Sequence, residues 1–131
     1  MHDAIDQGST CAKCGTAAHL SVRILTTRTY ERAIRKLLSE ADRRAMEAAI
    51  VGDPGAPPVI RGTGGLRKAR WAGSGRGKRG GIRTIYFRHG RSNSIYLLTA
   101  YAKADREDLS PADMKALSRL VAAIKKEERN R

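Results

Sequence analysis

The spacing of apolar side chains changes period twice along this chain, and that change is the strongest constraint on its fold. Tyr30, Ile34, Leu37 and Leu38 recur at helix spacing, with Glu31, Arg32, Arg35 and Lys36 between them, which is the pattern of an amphipathic helix. Ala45, Met46, Ala49 and Ile50 form a second stripe of the same kind, and Ser39, followed by Asp42, is its expected N-cap. Gly52-Asp53-Pro54 ends that helix, because Gly permits a left-handed terminus and Pro forbids continuation. Beyond the loop 55–65 the period becomes two. Arg67 to Ala72, Ile82 to Phe87 and Ile95 to Ala102 read as strands separated by turn residues. Helix spacing returns at Met114, Leu117, Val121 and Ile124, after Ser110-Pro111, where Ser caps and Pro takes the first helical position. A short alternating stretch, Leu20, Val22 and Ile24, precedes the first helix. The expected order is β-α-α-β-β-β-α, an α+β fold in which an antiparallel sheet carries an N-terminal helical hairpin and a C-terminal helix. One sheet face should pack on the helices and the other should be open.

A chain of 131 residues buries one modest core. The expected division is an extension over 1–19, one domain over 20–127 and a charged tail over 128–131. No apolar run approaches the ~18 residues of a membrane span. The first ten residues lack the apolar segment of a secretory signal, so a cytoplasmic location and no membrane partner are expected.

The charge is both large and segregated. Lys and Arg outnumber Asp and Glu 26 to 13, for a net charge of +13. Residues 54–104 hold eleven of those cations and no acidic residue. A surface selected only for solubility would intersperse the signs. A one-signed, arginine-dominated stretch suits phosphate groups, which guanidinium binds in bidentate fashion.

Strand alternation then sorts the cations. Lys68 and Arg70 share one face of their strand, while Arg67, Ala69 and Trp71 share the other. Arg83 is opposite in parity to Ile82 and Tyr86, and Tyr101 and Lys103 lie with Thr99. One consistent phase puts Lys68, Arg70, Arg83, Lys103 and Tyr101 on a common surface. Phosphodiester cleavage builds negative charge on non-bridging oxygens, which preorganised cations stabilise. In RNA the 2′-hydroxyl supplies the nucleophile, and a Lys or Tyr can act as general base. The plainer alternative is a basic binding face without chemistry.

Other motifs point less far. Gly75-x-Gly-x-x-Gly80 matches a dinucleotide fingerprint in letters, but that motif needs a strand before it and a helix after it. Here strands lie on both sides, and Arg76, Lys78 and Arg79 make the loop a candidate grip on RNA backbone. Cys11-x-x-Cys14 with His19 offers half a zinc site that only His2 could complete, so an unstructured extension is the expectation and no metal or cofactor is assigned. His89, in a turn beside Arg88, reads as a surface histidine, and Trp71 and Tyr96 read as core. Tyr86 opposes Ile85 and Phe87 in parity, so one of the two sets should be exposed.

Four linked segments resemble a known family. They are Gly62-Thr-Gly-Gly-Leu-Arg-Lys-Ala-Arg-Trp, Gly75-Arg-Gly-Lys-Arg-Gly-Gly-Ile-Arg-Thr-Ile-Tyr-Phe, Tyr96-Leu-Leu-Thr-Ala-Tyr-Ala-Lys and Glu107-Asp-Leu-Ser. Together, over roughly residues 21–127, they resemble RelE-superfamily toxins of type II toxin–antitoxin modules, in the HigB-like branch. The resemblance implies the RelE-like microbial ribonuclease fold. It also implies metal-independent endoribonuclease activity on mRNA in the A site of the 70S ribosome, and neutralisation by a cognate antitoxin, here of the HigA-like helix-turn-helix kind. Lys68 and Arg70 match the family's two basic strand positions. Arg83 matches the arginine that contacts the scissile phosphate, and Lys103 the lysine ending the last strand. Arg67, Arg76, Lys78, Arg79 and Arg88 become candidate RNA or ribosome contacts. The chain departs from the pattern at Ala104, where the family has arginine, and lacks the C-terminal tyrosine near Leu109 or Ser110, leaving Tyr101 as the candidate substitute. Because the resemblance begins near Ser21, a translation start downstream of Met1 is a further expectation. The rival functions are a non-enzymatic RNA- or ribosome-binding protein and a ParE-like inhibitor of DNA gyrase, whose cationic strand positions are less regular.

Overall fold

A computed structural model of the chain describes residues 22–72, 81–90, 92–105 and 108–129. The elements are β1 (Arg23–Thr26), α1 (Arg28–Leu37), α2 (Glu40–Gly52), β2 (Leu66–Trp71), β3 (Ile82–His89), β4 (Ser94–Ala102) and α3 (Pro111–Arg129). This is the order expected from the periodicity. Capping explains the boundaries. Ser39 Oγ accepts from Asp42 N at 3.1 Å at the start of α2, and Ser110 Oγ accepts from Asp113 N at 3.1 Å at the start of α3. The cysteine pair with His2 and His19, and the glycine-rich loop with Arg76, Lys78 and Arg79, lie outside the described residues.

The sheet order is β1-β4-β3-β2. β2, β3 and β4 form the antiparallel meander, and β1 adds to the far side of β4 in parallel. The parallel pairing is possible because two helices and a hairpin, rather than a tight turn, separate β1 from β4. β4 is therefore an inner strand.

Both faces of the sheet are covered. On one, Tyr30 and Ile34 of α1 and Met46 and Ile50 of α2 pack on Ala69, Ile82, Tyr86, Ile95, Leu97 and Ala100. On the other, Val121 and Ile124 of α3 pack on Leu66, Ile85, Phe87 and Leu98, with Leu109 and Tyr101. The expectation of an open face is corrected, because α3 crosses it and completes a three-layer arrangement. For the same reason Tyr86 and its neighbours Ile85 and Phe87 are all buried, on opposite faces. The stripe on α2 is narrower than its sequence suggested. Met46 and Ile50 are buried, but Ala45 and Ala49 are exposed, their short side chains falling outside the contact with the sheet.

One irregularity fixes the register. Ile85 pairs with Thr99 and Tyr86 with Leu97, so Leu98 is an extra residue in β4. Such a bulge shifts side-chain alternation by one place. Ile95 and Leu97 face the helical hairpin before it, as do Ala100 and Ala102 after it. A single hydroxyl anchors the bulge to α1. Thr27 Oγ1 donates to the Leu98 carbonyl at 2.7 Å and accepts from Tyr30 N at 3.0 Å as the N-cap of α1.

The helical hairpin is locked by a partly buried polar network. Arg43 donates to Glu47 at 2.8 Å and to Glu31 at 2.9 Å, and its guanidinium lies 5.5 Å from the centre of the Tyr30 ring. Tyr30 Oη donates to Glu47 at 2.6 Å and Thr26 Oγ1 to Glu31 at 2.7 Å. Burial and the adjoining Glu47 carboxylate push the Tyr30 phenol far above its ordinary range. The hydrogen bond from Arg43 leads the causes that hold the Glu31 carboxyl below its usual value.

Two stability predictions follow from these contacts. Thr27→Val removes both the cap and the donor to a bulge carbonyl, and should cost about 2 kcal/mol in urea unfolding, with Thr27→Ser close to the parent. Because the Glu31 pKa is depressed on folding, its contribution is fully present above the ordinary carboxylate pKa and is lost as pH falls through the lowered value. Arg43→Ala should therefore lower stability by roughly 1–3 kcal/mol at neutral pH and flatten the acid side of the stability–pH curve.

Candidate functional site: a cationic sheet end

The strand register assembles a row of functional side chains at one end of the sheet. Arg70 of β2 pairs with Arg83 of β3, and Arg83 pairs with Tyr101 of β4. The bulge at Leu98 puts Thr99 and Tyr101 on the α3 side, the side that Ile85 and Phe87 also occupy. By strand alternation Arg83 lies on that side, as do Lys68 and Arg70 with Leu66. Lys103 follows at the rim, its backbone N–H donating to the Gly81 carbonyl at 3.0 Å. The structure thus brings Lys68, Arg70, Arg83, Tyr101 and Lys103 to one face.

The row is graded in exposure. Arg70 is exposed and Lys68 and Lys103 are half-buried, whereas Arg83 is only 6% and Tyr101 8% exposed. Directly opposed like charges on neighbouring strands destabilise a sheet, and Arg70 and Arg83 are such a pair. An anion between them relieves the repulsion. A buried guanidinium beside an exposed one is suited to fix a phosphate rather than to attract it from a distance.

The remaining candidates lie elsewhere. Arg67 is on the opposite face and donates to the carbonyls of Gly55 (3.2 Å) and Pro57, bracing the loop after α2. Arg88 is exposed on that same face, and both arginines lie close enough to Tyr86 to offset part of the rise that burial imposes on its phenol. Tyr86 itself donates to the Pro54 carbonyl at 2.6 Å. The structure therefore does not bring Arg67 and Arg88 to the cationic end. His89 is on the α3 side but at the other end of β3, six residues from Arg83, or roughly 20 Å. Its Nδ1 accepts from Ser92 N at 3.3 Å, which fixes the ring in the turn. Trp71 and Tyr96 are partly buried against the two cores, as their sequence context suggested.

Sequence reading missed one member of the face. Asp108, between β4 and α3, places Oδ1 3.2 Å from Lys68 Nζ and accepts from Leu109 N at 3.1 Å. Partial desolvation alone would raise its pKa. The hydrogen bond from Lys68, the Leu109 N–H, the lysine's charge and the Tyr101 side chain outweigh it and hold the carboxyl below its usual value. No sequence signal announces a partner 40 residues away. Next to Tyr101, a cavity of about 320 Å³ opens between the starts of α1 and α3, lined by Thr29, Thr99, Leu109, Asp113 and Leu117 among others. Among the described residues, no group of three or more His, Cys, Asp or Glu is placed to hold a metal ion, and no helix is long and apolar enough to cross a membrane.

The class to which this arrangement belongs is that of the toxins of toxin–antitoxin systems. Residues 22–131 match the family described as RelE toxin of the RelE / RelB toxin-antitoxin system, and the chain belongs to that family. Its description pairs each toxin with an antitoxin. Among solved structures, the chain is similar to an arginine-to-alanine double mutant of E. coli toxin RelE in the free state. Identity is 14%, with 64% of this chain and 85% of that chain covered, at a TM-score of 0.44.

The rim of the site depends on one backbone position. Gly81 has φ +61°, and a Cβ there would lie 2.2 Å from the Trp71 carbonyl oxygen. Gly81→Ala should destabilise the protein by at least about 2 kcal/mol. It should also loosen the Lys103 amide, which hydrogen exchange would detect as faster exchange at that residue than in the helical hairpin.

Proposed function

We propose that this chain is the toxin of a type II module of the HigB-like branch and acts as an endoribonuclease on mRNA in the ribosomal A site. The observation that carries this reading is the Arg70–Arg83–Tyr101 row, with Lys68 and Lys103 beside it. The supporting context is family membership and the linked motifs that include these residues. In this reading the RNA 2′-oxygen attacks the adjacent phosphorus, a P–O2′ bond forms, and the P–O5′ bond breaks. Arg83 and Arg70 stabilise the negative charge that builds on the non-bridging oxygens. Lys68 or Tyr101 takes the 2′-hydroxyl proton, and Lys103 stands to assist the departing 5′-oxygen. The substrate supplies its own nucleophile, so no metal or cofactor is assigned. The cognate antitoxin is proposed to be a helix-turn-helix protein of the HigA-like kind, the site of action is the cytoplasm, and residues 20–127 form the toxin domain. The glycine-rich loop with Arg76, Lys78 and Arg79 is proposed to grip RNA backbone.

Controlled expression with mapping of mRNA 5′ ends tests the reading. Codon-phased cuts in translated messages are expected. Intact messages with DNA breaks would point instead to gyrase, and arrest without either to a binding protein. Arg83→Ala should abolish cleavage and toxicity while retaining antitoxin binding in a pull-down. A fully toxic Arg83→Ala variant would remove this arginine from the site.

A further inference from the structure

The cationic end contains one feature that phosphate binding does not explain. RNA is a polyanion, so a carboxylate on this face opposes its binding, yet Asp108 is held there in a fixed pose. Its Oδ1 accepts from the next residue's N–H at 3.1 Å and lies 3.2 Å from Lys68 Nζ. Its ion pair with Lys68 lies outside the helical hairpin. Helix capping does not need it, because Ser110 caps α3. Stability hardly needs it either, since its side chain is 58% exposed and ion pairs this open contribute little.

Geometry supplies a reason. Lys68 and Tyr101 stand on β2 and β4, with β3 between them and two residues out of row, about 12 Å apart at the backbone. A lysine is a flexible four-carbon stem carrying a point charge, and nothing in β2 itself fixes where the ammonium sits. We infer that Asp108 is a positioning residue, which draws the Lys68 amino group from β2 across the face toward Arg83 and Tyr101. As the neutral amine that accepts a proton, Lys68 keeps two N–H donors, so it can hold Asp108 and still turn its lone pair to the 2′-hydroxyl. This inference rests on the ribonuclease reading and deepens it.

The test separates orientation from charge. Asp108→Asn keeps an acceptor for the Leu109 N–H and removes the negative charge. Its affinity for programmed ribosomes carrying an mRNA with a 2′-deoxy block at the cleavage site should be unchanged or tighter, because a repulsive charge is gone. Its single-turnover cleavage of the unblocked mRNA should fall about tenfold or more, the scale expected from small misplacement of a reacting group. The acid limb of its pH–rate profile should move to lower pH, because the charge that favours the protonated form of the proton-accepting neighbour is lost. Asp108→Glu should recover part of the rate, and both variants should melt close to the parent. Parental cleavage by Asp108→Asn with an unmoved pH profile overturns the inference and leaves the ribonuclease reading standing. So does a loss of rate matched by an equal loss of affinity or of melting temperature. Absence of cleavage by the unaltered chain overturns the ribonuclease reading, and the inference with it.

Discussion

Leu98 is the residue on which the arrangement of this protein turns. It is the extra member of β4, an inner strand held by β1 on one side and β3 on the other. Without it, alternation would carry Tyr101 to the helical-hairpin face, away from the α3 side where Lys68, Arg70 and Arg83 stand. An unpaired carbonyl in the middle of a sheet is costly. The Thr27 hydroxyl meets the one at Leu98 while capping α1. The junction of β1 and α1 thus secures a feature whose consequence appears at the far end of β4.

The two cores follow from the same sheet. The helical hairpin covers one face and α3 the other, and α3 is fastened over the opposite end from the cationic row. There Lys125 lies 5.8 Å from the centre of the Phe87 ring, and Tyr96 donates to Glu128. Gly65 lets the backbone approach closely, since a Cβ at that position would lie 3.0 Å from the Phe87 ring. Apolar burial is thereby concentrated over Phe87, Ile85 and Leu98, and the cations are left at the end of the strands where α3 begins. Fold stability and the candidate chemistry occupy different ends of one surface.

Asp108 changes how that surface is understood. A purely cationic face is complementary to any polyanion, and composition alone supports nothing narrower. A carboxylate fixed among the cations and paired with Lys68 is a cost to binding a polyanion and a gain in orientation. That is the distinction between holding RNA and acting on it.

Much of this was legible in the sequence. Periodicity and caps gave the order of elements, because helix and strand impose different spacings on apolar residues, and Ser39 and Ser110 serve as caps in any context with a free helix start. Charge segregation and parity grouped Lys68 with Arg70. Three things were decided only by tertiary structure. Whether a strand face is covered depends on where a distant helix lands, so the second core under α3 was not readable from β3. The extra residue at Leu98 leaves no compositional mark, because a bulge is a property of two strands in register rather than of one. Lys68 met Asp108, and Arg67 was turned to the loop carbonyls of Gly55 and Pro57, because long side chains take partners from whatever the fold brings within reach. The sequence by itself determined which groups are present and in what local order. The tertiary structure decided which of them share a face, since that depends on register, and register is settled by packing on both sides of the sheet at once.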